Sequence, residues 1–439
     1  MPIDAANDTC QRSRSGLRSI RLDCWRMATE ISGESKAAHR RLSAPLTGSP
    51  AEVFAVFLKL GLTSFGGPVA HLGYFRNELV ARRRWIDEAG YADLVAMCQF
   101  LPGPASSQVG YALGLWRAGP LGGVAAWCAF TLPSAALLVL FAMGAASLHG
   151  PVGMGLLHGL KLVAVAVVAQ AVWGMARTLT PDWQRAVIGL AAVVILMLLG
   201  GATGQIVAIV LGGLAGLRLC RTTTAAPGAT ASFPISRRAG AGALVLFLLL
   251  LAGLPLASMA TGFHGVALLD VFYRAGAFVF GGGHVVLPLL EEGVVQPGWI
   301  DSNGFLAGYG AAQAVPGPLF TFAAYLGAVM EPSPNGLAGA ALCLVAIFAP
   351  GLLLVTGVLP FWSLLRARPA AQAAMRGANA AVVGILAFAL YTPVGTSAIL
   401  SPIDFLVALA GFVLLTVWKC TPWIVVALTA ASGVAFALI

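Results

Sequence analysis

Charge is what this chain has least of. Only 10% of its 439 residues are Asp, Glu, Lys or Arg, where a soluble chain of ordinary composition carries about a quarter. The stretches 119–160, 186–217, 239–269, 332–365 and 420–439 contain no charged residue at all. Each is long enough to cross a hydrocarbon core of about 30 Å as a helix. Paired cysteine spacing is also missing: Cys10, Cys24, Cys98, Cys128, Cys220, Cys343 and Cys420 are scattered, which argues against a disulfide framework or a cysteine metal knuckle. The apolar segments show no His/Glu metal spacing and no nucleophile beside a base, so no enzyme, metal or cofactor is expected. Residues 1–50 lack an apolar stretch and a small-residue cleavage site. They read as a basic cytoplasmic extension and not as a cleaved signal peptide.

What the chain does have is apolar residues, 59% of the total, with 53 glycines and 25 prolines spread among them. Gly and Pro dispersed in apolar surroundings suit packed or broken membrane helices. The expected fold is an all-α polytopic membrane protein.

It also repeats itself. "FLKLGLTSFGG" at 57–67 matches "FYRAGAFVFGG" at 272–282, pairing Phe57 with Phe272 and Gly61 with Gly276. Trp85-Ile86-Asp87 matches Trp299-Ile300-Asp301, "QFLPGP" at 99–104 matches "QAVPGP" at 313–318, and Tyr111 matches Tyr325. One gap keeps all of these in register, which is the mark of an internal duplication.

Flanking charge orients the copies. "RNELVARRRW" precedes Trp85, whereas "LEEGVVQPGW" precedes Trp299; Arg117 follows the first PGP helix and Glu331 the second. Cytoplasmic flanks collect Lys and Arg, so the two copies are expected to lie inverted in the bilayer. The basic, Thr/Ala/Ser/Pro-rich segment 218–238 reads as a cytoplasmic linker. One further helix at about 240–258 then carries the chain across. Topology alone accounts for the basic residues, and no nucleic-acid partner is expected. The predicted organisation is an extension at 1–50, a first repeat at 51–218, linker and connecting helix at 219–262, and an inverted repeat at 263–439.

The segments beside FGG and PGP are too short to span. Each reads as half of a re-entrant hairpin broken near the midplane, at Gly66, Gly67, Pro102, Gly103 and Pro104 in the first copy. In the second copy the breaks fall at Gly281, Gly282, Pro316, Gly317 and Pro318. Inverted repeats with discontinuous helices are the plan of secondary transporters. Helices restarting at the breaks aim free N–H groups and partial positive charge at the centre, which favours an anion. Three basic residues remain inside the membrane: Lys59, its equivalent Arg274, and Lys161, which aligns with Asn379. Together with Gln99, Gln313, Ser106, Ser107 and Thr321 these are the candidate substrate ligands. Asp87 and Asp301 read as helix N-caps.

"KLGLTSFGGPVAHLGYFRNELV", "WID" and "QFLPGP", with the duplicate "FGGGHVVLPLLEE", "WID" and "QAVPGP", resemble the chromate ion transporter family in its long, two-domain form, from about residue 51 onward. Gly283 departs from the family pattern, standing where a proline follows the first FGG. The resemblance implies export of chromate, with sulfate as the chemically similar oxyanion, across a bacterial inner membrane, giving chromate resistance. It implies neither enzymatic turnover nor a cofactor. Partners expected are the oxyanion, the bilayer and at most a second copy of the chain in a homodimer. The N-terminus is expected in the cytoplasm and the C-terminus in the periplasm. A proton-coupled importer of sulfate or another oxyanion is the alternative reading.

Overall fold

The structure is a computed structural model that describes residues 48–145, 150–220, 233, 235–280, 283–366 and 368–438. Among these residues there are helices and no strands. The extension at 1–47 and two of the expected break glycines, Gly281 and Gly282, lie outside the described residues.

The first repeat starts with α1 (Pro50–Thr63), capped by the Ser49 hydroxyl, and α2 (Gly67–Phe75), which passes into a π-turn at Arg76–Arg82. Helix α3 (Glu88–Phe100) follows. Helix α4 (Ala105–Ala145) is interrupted at Ala118 and Gly119, where the backbone leaves helical geometry. Three apolar helices complete the repeat: α5 (Gly150–Leu179), α6 (Trp183–Leu199) and α7 (Gly201–Leu219). Helix α8 (Arg237–Thr261) links the copies.

The second repeat restates the first. Helix α9 (His264–Ala277) corresponds to α1, α10 (Val286–Val294) to α2, and α11 (Ser302–Ala314) to α3. Helices α12 (Phe322–Val329) and α13 (Gly336–Val358) correspond to the two halves of α4. Helices α14 (Pro369–Ala389), α15 (Pro402–Thr416) and α16 (Pro422–Leu438) correspond to α5, α6 and α7. The shared WID motif caps the same helix twice. Asp87 accepts from the Gly90 amide at 2.8 Å and Asp301 from the Gly304 amide at 3.0 Å. Each cap satisfies an N–H that would otherwise lack a partner.

Among the described residues, five helical stretches are long and apolar enough to cross a membrane, and α6, α7, α15 and α16 are shorter apolar helices. Helix α8 faces outward: almost none of its apolar window is buried, as expected of a connector facing lipid. The single uncharged stretch 186–217 forms two helices, because Gly200 and Gly201 turn the chain with φ of 62° and 54°. Left-handed backbone of that kind is cheap only for glycine.

The last helices of each repeat pack on the other repeat. Helix α5 lies against α15 and α16, and α14 lies against α6 and α7. Glycines permit the approach. A Cβ on Gly159 would meet the Thr429 carbonyl, and one on Gly377, the equivalent position, would meet the Gly212 carbonyl. Close backbone contact through small residues is how membrane helices associate without help from a hydrophobic effect between them.

Candidate functional site

The breaks come together at the junction of the two repeats. In the first copy, α1 ends at Ser64, and Gly66 and Gly67 take φ of 96° and 78° before α2 begins. Helix α3 ends at Leu101, Gly103 takes φ of 116°, and α4 starts at Ala105. In the second copy, α11 ends at Val315, and Gly317 takes φ of 107°. Pro102, Pro104, Pro316 and Pro318 flank these glycines, and each removes an N–H that a continuous helix would need.

The contacts between copies are reciprocal. The Gly103 N–H donates to the Val279 carbonyl at 2.7 Å, and the Gly317 N–H donates to the Ser64 carbonyl at 2.9 Å. Ser64 and Val279 hold the same place before FGG, and the two glycines hold the same place in PGP. A Cβ on Gly103 would lie 3.1 Å from the Gly351 Cα, and one on Gly317 would lie 2.7 Å from the Ser134 Oγ. Gly351 and Ser134 are again equivalent, each following the proline inside its helix. Contacts in which i meets j and j meets i are the pattern that a two-fold relation between two units gives. Pro68 and Gly283, equivalent residues after FGG, face one another at that junction. A Cβ on Gly283 would sit 3.7 Å from the Pro68 ring.

The polar side chains here come mostly from the first copy. His71 is buried, and its Nδ1 is 3.3 Å from the Ser106 Oγ in the first turn of α4. Its ring meets Phe130 edge-on at 5.4 Å, and the Ser64 carbonyl also faces it. Gln108 Nε2 donates to the carbonyls of Pro102 at 2.8 Å and Gly351 at 3.2 Å, tying the PGP break to α13. Five buried atoms in this group have no hydrogen-bond partner: Ser64 Oγ, His71 Nε2, Ser107 Oγ, Gln108 Oε1 and Thr131 Oγ1. Buried polar atoms are normally satisfied, and a group left open asks for a partner.

Several expected ligands stand elsewhere. Lys59 donates to Glu78 at 3.2 Å, and its side chain is 52% exposed. Arg274 is forked onto Asp270, one turn earlier in α9, at 2.8 and 2.6 Å. Both bases are therefore paired with carboxylates, Lys59 sharing Glu78 with Arg82 and Arg83. Asp270 is buried beside its arginine. The Lys161 ammonium reaches Asn303 Oδ1 at 3.0 Å. Asn303 opens α11, roughly 18 Å along that helix from its break. Lys161 joins a polar group at that end, where His158 meets Asp404 at 2.7 Å.

Gln99 is exposed, whereas its counterpart Gln313 keeps a buried Nε2 without a partner. Thr321 donates its hydroxyl to the Pro318 carbonyl at 2.8 Å, closing its own turn. Asn379 retains a buried unpartnered Oδ1 on α14. The residues that sequence reasoning passed over are Ser64, Gln108 and Thr131. Ser64 stands beside FGG and was legible there. Thr131 comes to the site only because α4 folds back past its own kink.

Glu78, at the outer end of the first hairpin, is ringed by cations: Arg83 at 2.8 Å, Arg82 at 3.1 Å and Lys59. The bond from Arg83 does most to hold its carboxyl down at about 2. Glu291, at the corresponding end of the second copy, is pushed up to about 7 by burial and then by Glu292.

A cavity of about 360 Å³ opens beside α3. Gly90, Asp93, Leu94 and Met97 form one wall, and Arg237, Leu359 and Trp362 stand opposite. Trp362 donates its indole N–H to Asp93 at 3.1 Å and packs on Phe100 at 5.7 Å. Met97 lies one turn from Leu101, so the cavity reaches toward the PGP break without including it.

A family model described as "Chromate transporter" matches twice, over residues 51–217 and 266–434. A probable chromate transport protein of Synechococcus elongatus is 28% identical over 87% of this chain and 94% of its own length. A chromate transport protein of Pseudomonas aeruginosa is 29% identical over 87% and 90%. One from Cupriavidus metallidurans is 27% identical over 86% and 90%. No solved structure matches the chain.

Proposed function

The chain belongs to the chromate transporter family, and on that premise we propose that it exports chromate, a tetrahedral dianion, through the junction of two inverted repeats. The carrying observation is the reciprocal pair of hydrogen bonds, Gly103 to Val279 and Gly317 to Ser64. These put the broken ends of both copies at one place. Helices α2 and α4 restart there, and their free N–H groups suit an anion.

Inversion is supported by which ends touch. The start of α3 meets Trp362 and the linker end at Phe233 and Arg237, all on the face that the charges assign to the cytoplasm. The start of α11 meets Lys161, part-way along α5. On this reading the cavity beside α3 is the cytoplasmic vestibule, and the two-fold axis lies in the membrane plane, as in transporters built from inverted repeats. Hairpins α1–α2, α3–α4, α9–α10 and α11–α12 are re-entrant, and their irregular backbone is tolerated because protein surrounds it. The N-terminus lies in the cytoplasm and the C-terminus in the periplasm of the inner membrane.

Direction follows from charge. A membrane potential is worth about 2.3 kcal/mol per charge per 100 mV, so expelling a dianion from a negative interior gains about 4.6 kcal/mol. That supports a concentration ratio of over about a thousandfold. Sulfate has the same shape and charge and is the natural competitor. Flux of labelled chromate in proteoliposomes under an imposed voltage is the test. We expect chromate to move from the negative to the positive compartment and sulfate to compete. Uptake into the negative compartment, driven only by a proton gradient, would establish the importer instead.

A further inference from the structure

We infer that the oxyanion is held by neutral donors of the first repeat, chiefly Ser64, His71, Ser107 and Thr131, with no basic side chain bound to it. This rests on the transport reading above and assigns the groups that recognise the substrate.

Two independent observations converge. The first is the break geometry: α2 and α4 both restart at the repeat junction with open N-terminal N–H groups. The second is the set of open side chains. Ser64 and Thr131 are fully buried and His71 and Ser107 almost so, yet Ser64 Oγ, His71 Nε2, Ser107 Oγ and Thr131 Oγ1 have no partner. The contacts place most of them in one neighbourhood. His71 touches Ser106, which precedes Ser107, and Phe130, which precedes Thr131. Ser64 is joined to Gly317, which lies against Ser134 and the Phe130 carbonyl. Ser134 in turn donates to the Thr131 carbonyl at 3.0 Å.

The mirror positions are closed to a polar ligand. Counted from FGG, Ser64 becomes Val279 and His71 becomes Val286. Counted from PGP, Ser106 becomes Phe320, and Thr131 becomes Phe348, counted from the proline in the helix. Phe320 and Phe348 pack on each other at 5.6 Å. Ser107 becomes Thr321, whose hydroxyl is already spent on Pro318. At the mirrored positions the second copy therefore offers no open donor, although Gln313 Nε2 beside its break is unpartnered.

Neutral donors can hold a dianion. Hydroxyl, imidazole and backbone N–H groups each give a charge-assisted hydrogen bond when the acceptor is an anion. Without a fixed counter-charge the complex is not held as a buried ion pair, so the anion can leave as well as enter. His71 acts as a donor in the tautomer that carries its proton on Nε2, and in that tautomer Nδ1 accepts from the Ser106 hydroxyl 3.3 Å away. Ser106 is a positioning residue.

The test is half-saturating chromate concentration for flux in proteoliposomes, alongside the rise in Tm that chromate produces in the purified protein. Thr131→Val keeps the shape and loses the hydroxyl; Thr131→Ser keeps the hydroxyl and loses a methyl. We expect roughly 10-fold weaker half-saturation for Thr131→Val and for Ser64→Ala, with a matching loss of the Tm rise, and a change under about 3-fold for Thr131→Ser. Equal effects of Val and Ser at 131 would make the position a packing site and overturn the inference. So would unchanged half-saturation in both Ser64→Ala and Thr131→Val while wild type moves chromate, which leaves the transport reading standing. Wild-type protein that moves no oxyanion would remove that reading and the inference with it.

Discussion

Around the junction the first repeat carries Ser64, His71, Ser106, Gln108 and Thr131, where the second carries Val279, Val286, Phe320, Phe322 and Phe348. The backbone plan has stayed common. Both copies keep a positive-φ glycine within PGP, a capping aspartate after Trp-Ile, and a glycine where α1 or α9 crosses its long neighbour. The resumption after the break differs. Repeat one restarts directly as α-helix, whereas repeat two first makes a 3₁₀ turn at Gly283–Val285 and at Leu319–Thr321. A pocket on a two-fold axis needs its backbone twice but each recognition group once. Side chains were free to diverge where glycines were not.

The sharpest way to break the comparison is at the PGP glycines. Gly103→Ala and Gly317→Ala both place a Cβ at strongly positive φ, which costs about 1–2 kcal/mol before any clash. Each new Cβ would also meet a flexible polar end and a fixed carbon: Gln108 Nε2 at 2.8 Å and the Gly351 Cα at 3.1 Å for Gly103, Ser134 Oγ at 2.7 Å and Ser134 Cβ at 3.1 Å for Gly317. We expect chromate flux to fall at least about 10-fold for both Gly103→Ala and Gly317→Ala. Clearly unequal losses would mean that the junction is less symmetric than its glycines.

Glu78 and Glu292 align between the copies, yet Glu78 holds three cations and Glu292 forms no ion pair among the described residues. Glu78→Gln should lower Tm by about 5 °C, because it leaves Lys59, Arg82 and Arg83 together without their counter-charge. Glu292→Gln should shift Tm by less than about 1 °C. Thermal melts of the detergent-purified variants decide it.

The same ends should respond to pH with opposite sign. Glu78, folded at about 2 against an ordinary 4.5, contributes stability that is present above pH 4.5 and lost as pH falls toward 2. Glu291, folded at about 7, binds its proton more tightly folded than unfolded, so it costs stability as pH rises from 4.5 through 7. Glu291→Gln should therefore raise Tm at pH 8 and leave it unchanged at pH 4. Melts of wild type and both Gln variants across pH 3–8 would show whether the slopes oppose.

The smallest effect is expected where the sequence pointed most directly. Lys59→Met and Arg274→Met should each change half-saturating chromate by less than about 3-fold, since both bases are held by carboxylates away from the breaks. A 10-fold loss in either would return a fixed cation to the binding step and sharpen the case against neutral recognition.

Much of this was legible beforehand. Apolar runs without charge, the paired FGG, WID and PGP motifs, and prolines that cannot sit inside a helix prescribe broken membrane helices in two copies. The aspartate caps were readable from their place before a helix. Lys59, Arg274 and Lys161 read as unpaired bases because a partner distant in sequence or on the next turn is invisible in one dimension. The carboxylate or amide partner lies 19 residues away for Lys59, one turn back for Arg274, and 142 residues away for Lys161.

By itself, then, the sequence determined the membrane setting, the duplication and where the helices beside FGG and PGP must stop, because backbone φ limits, missing N–H groups and transfer of apolar side chains act locally. Only the tertiary structure decided which stops meet, that α5 and α14 trade partners between repeats, and that Phe130, beside Thr131, packs on His71. Those outcomes depend on glycines letting distant backbones approach and on which buried polar atoms find a partner, and neither is settled until the chain has folded.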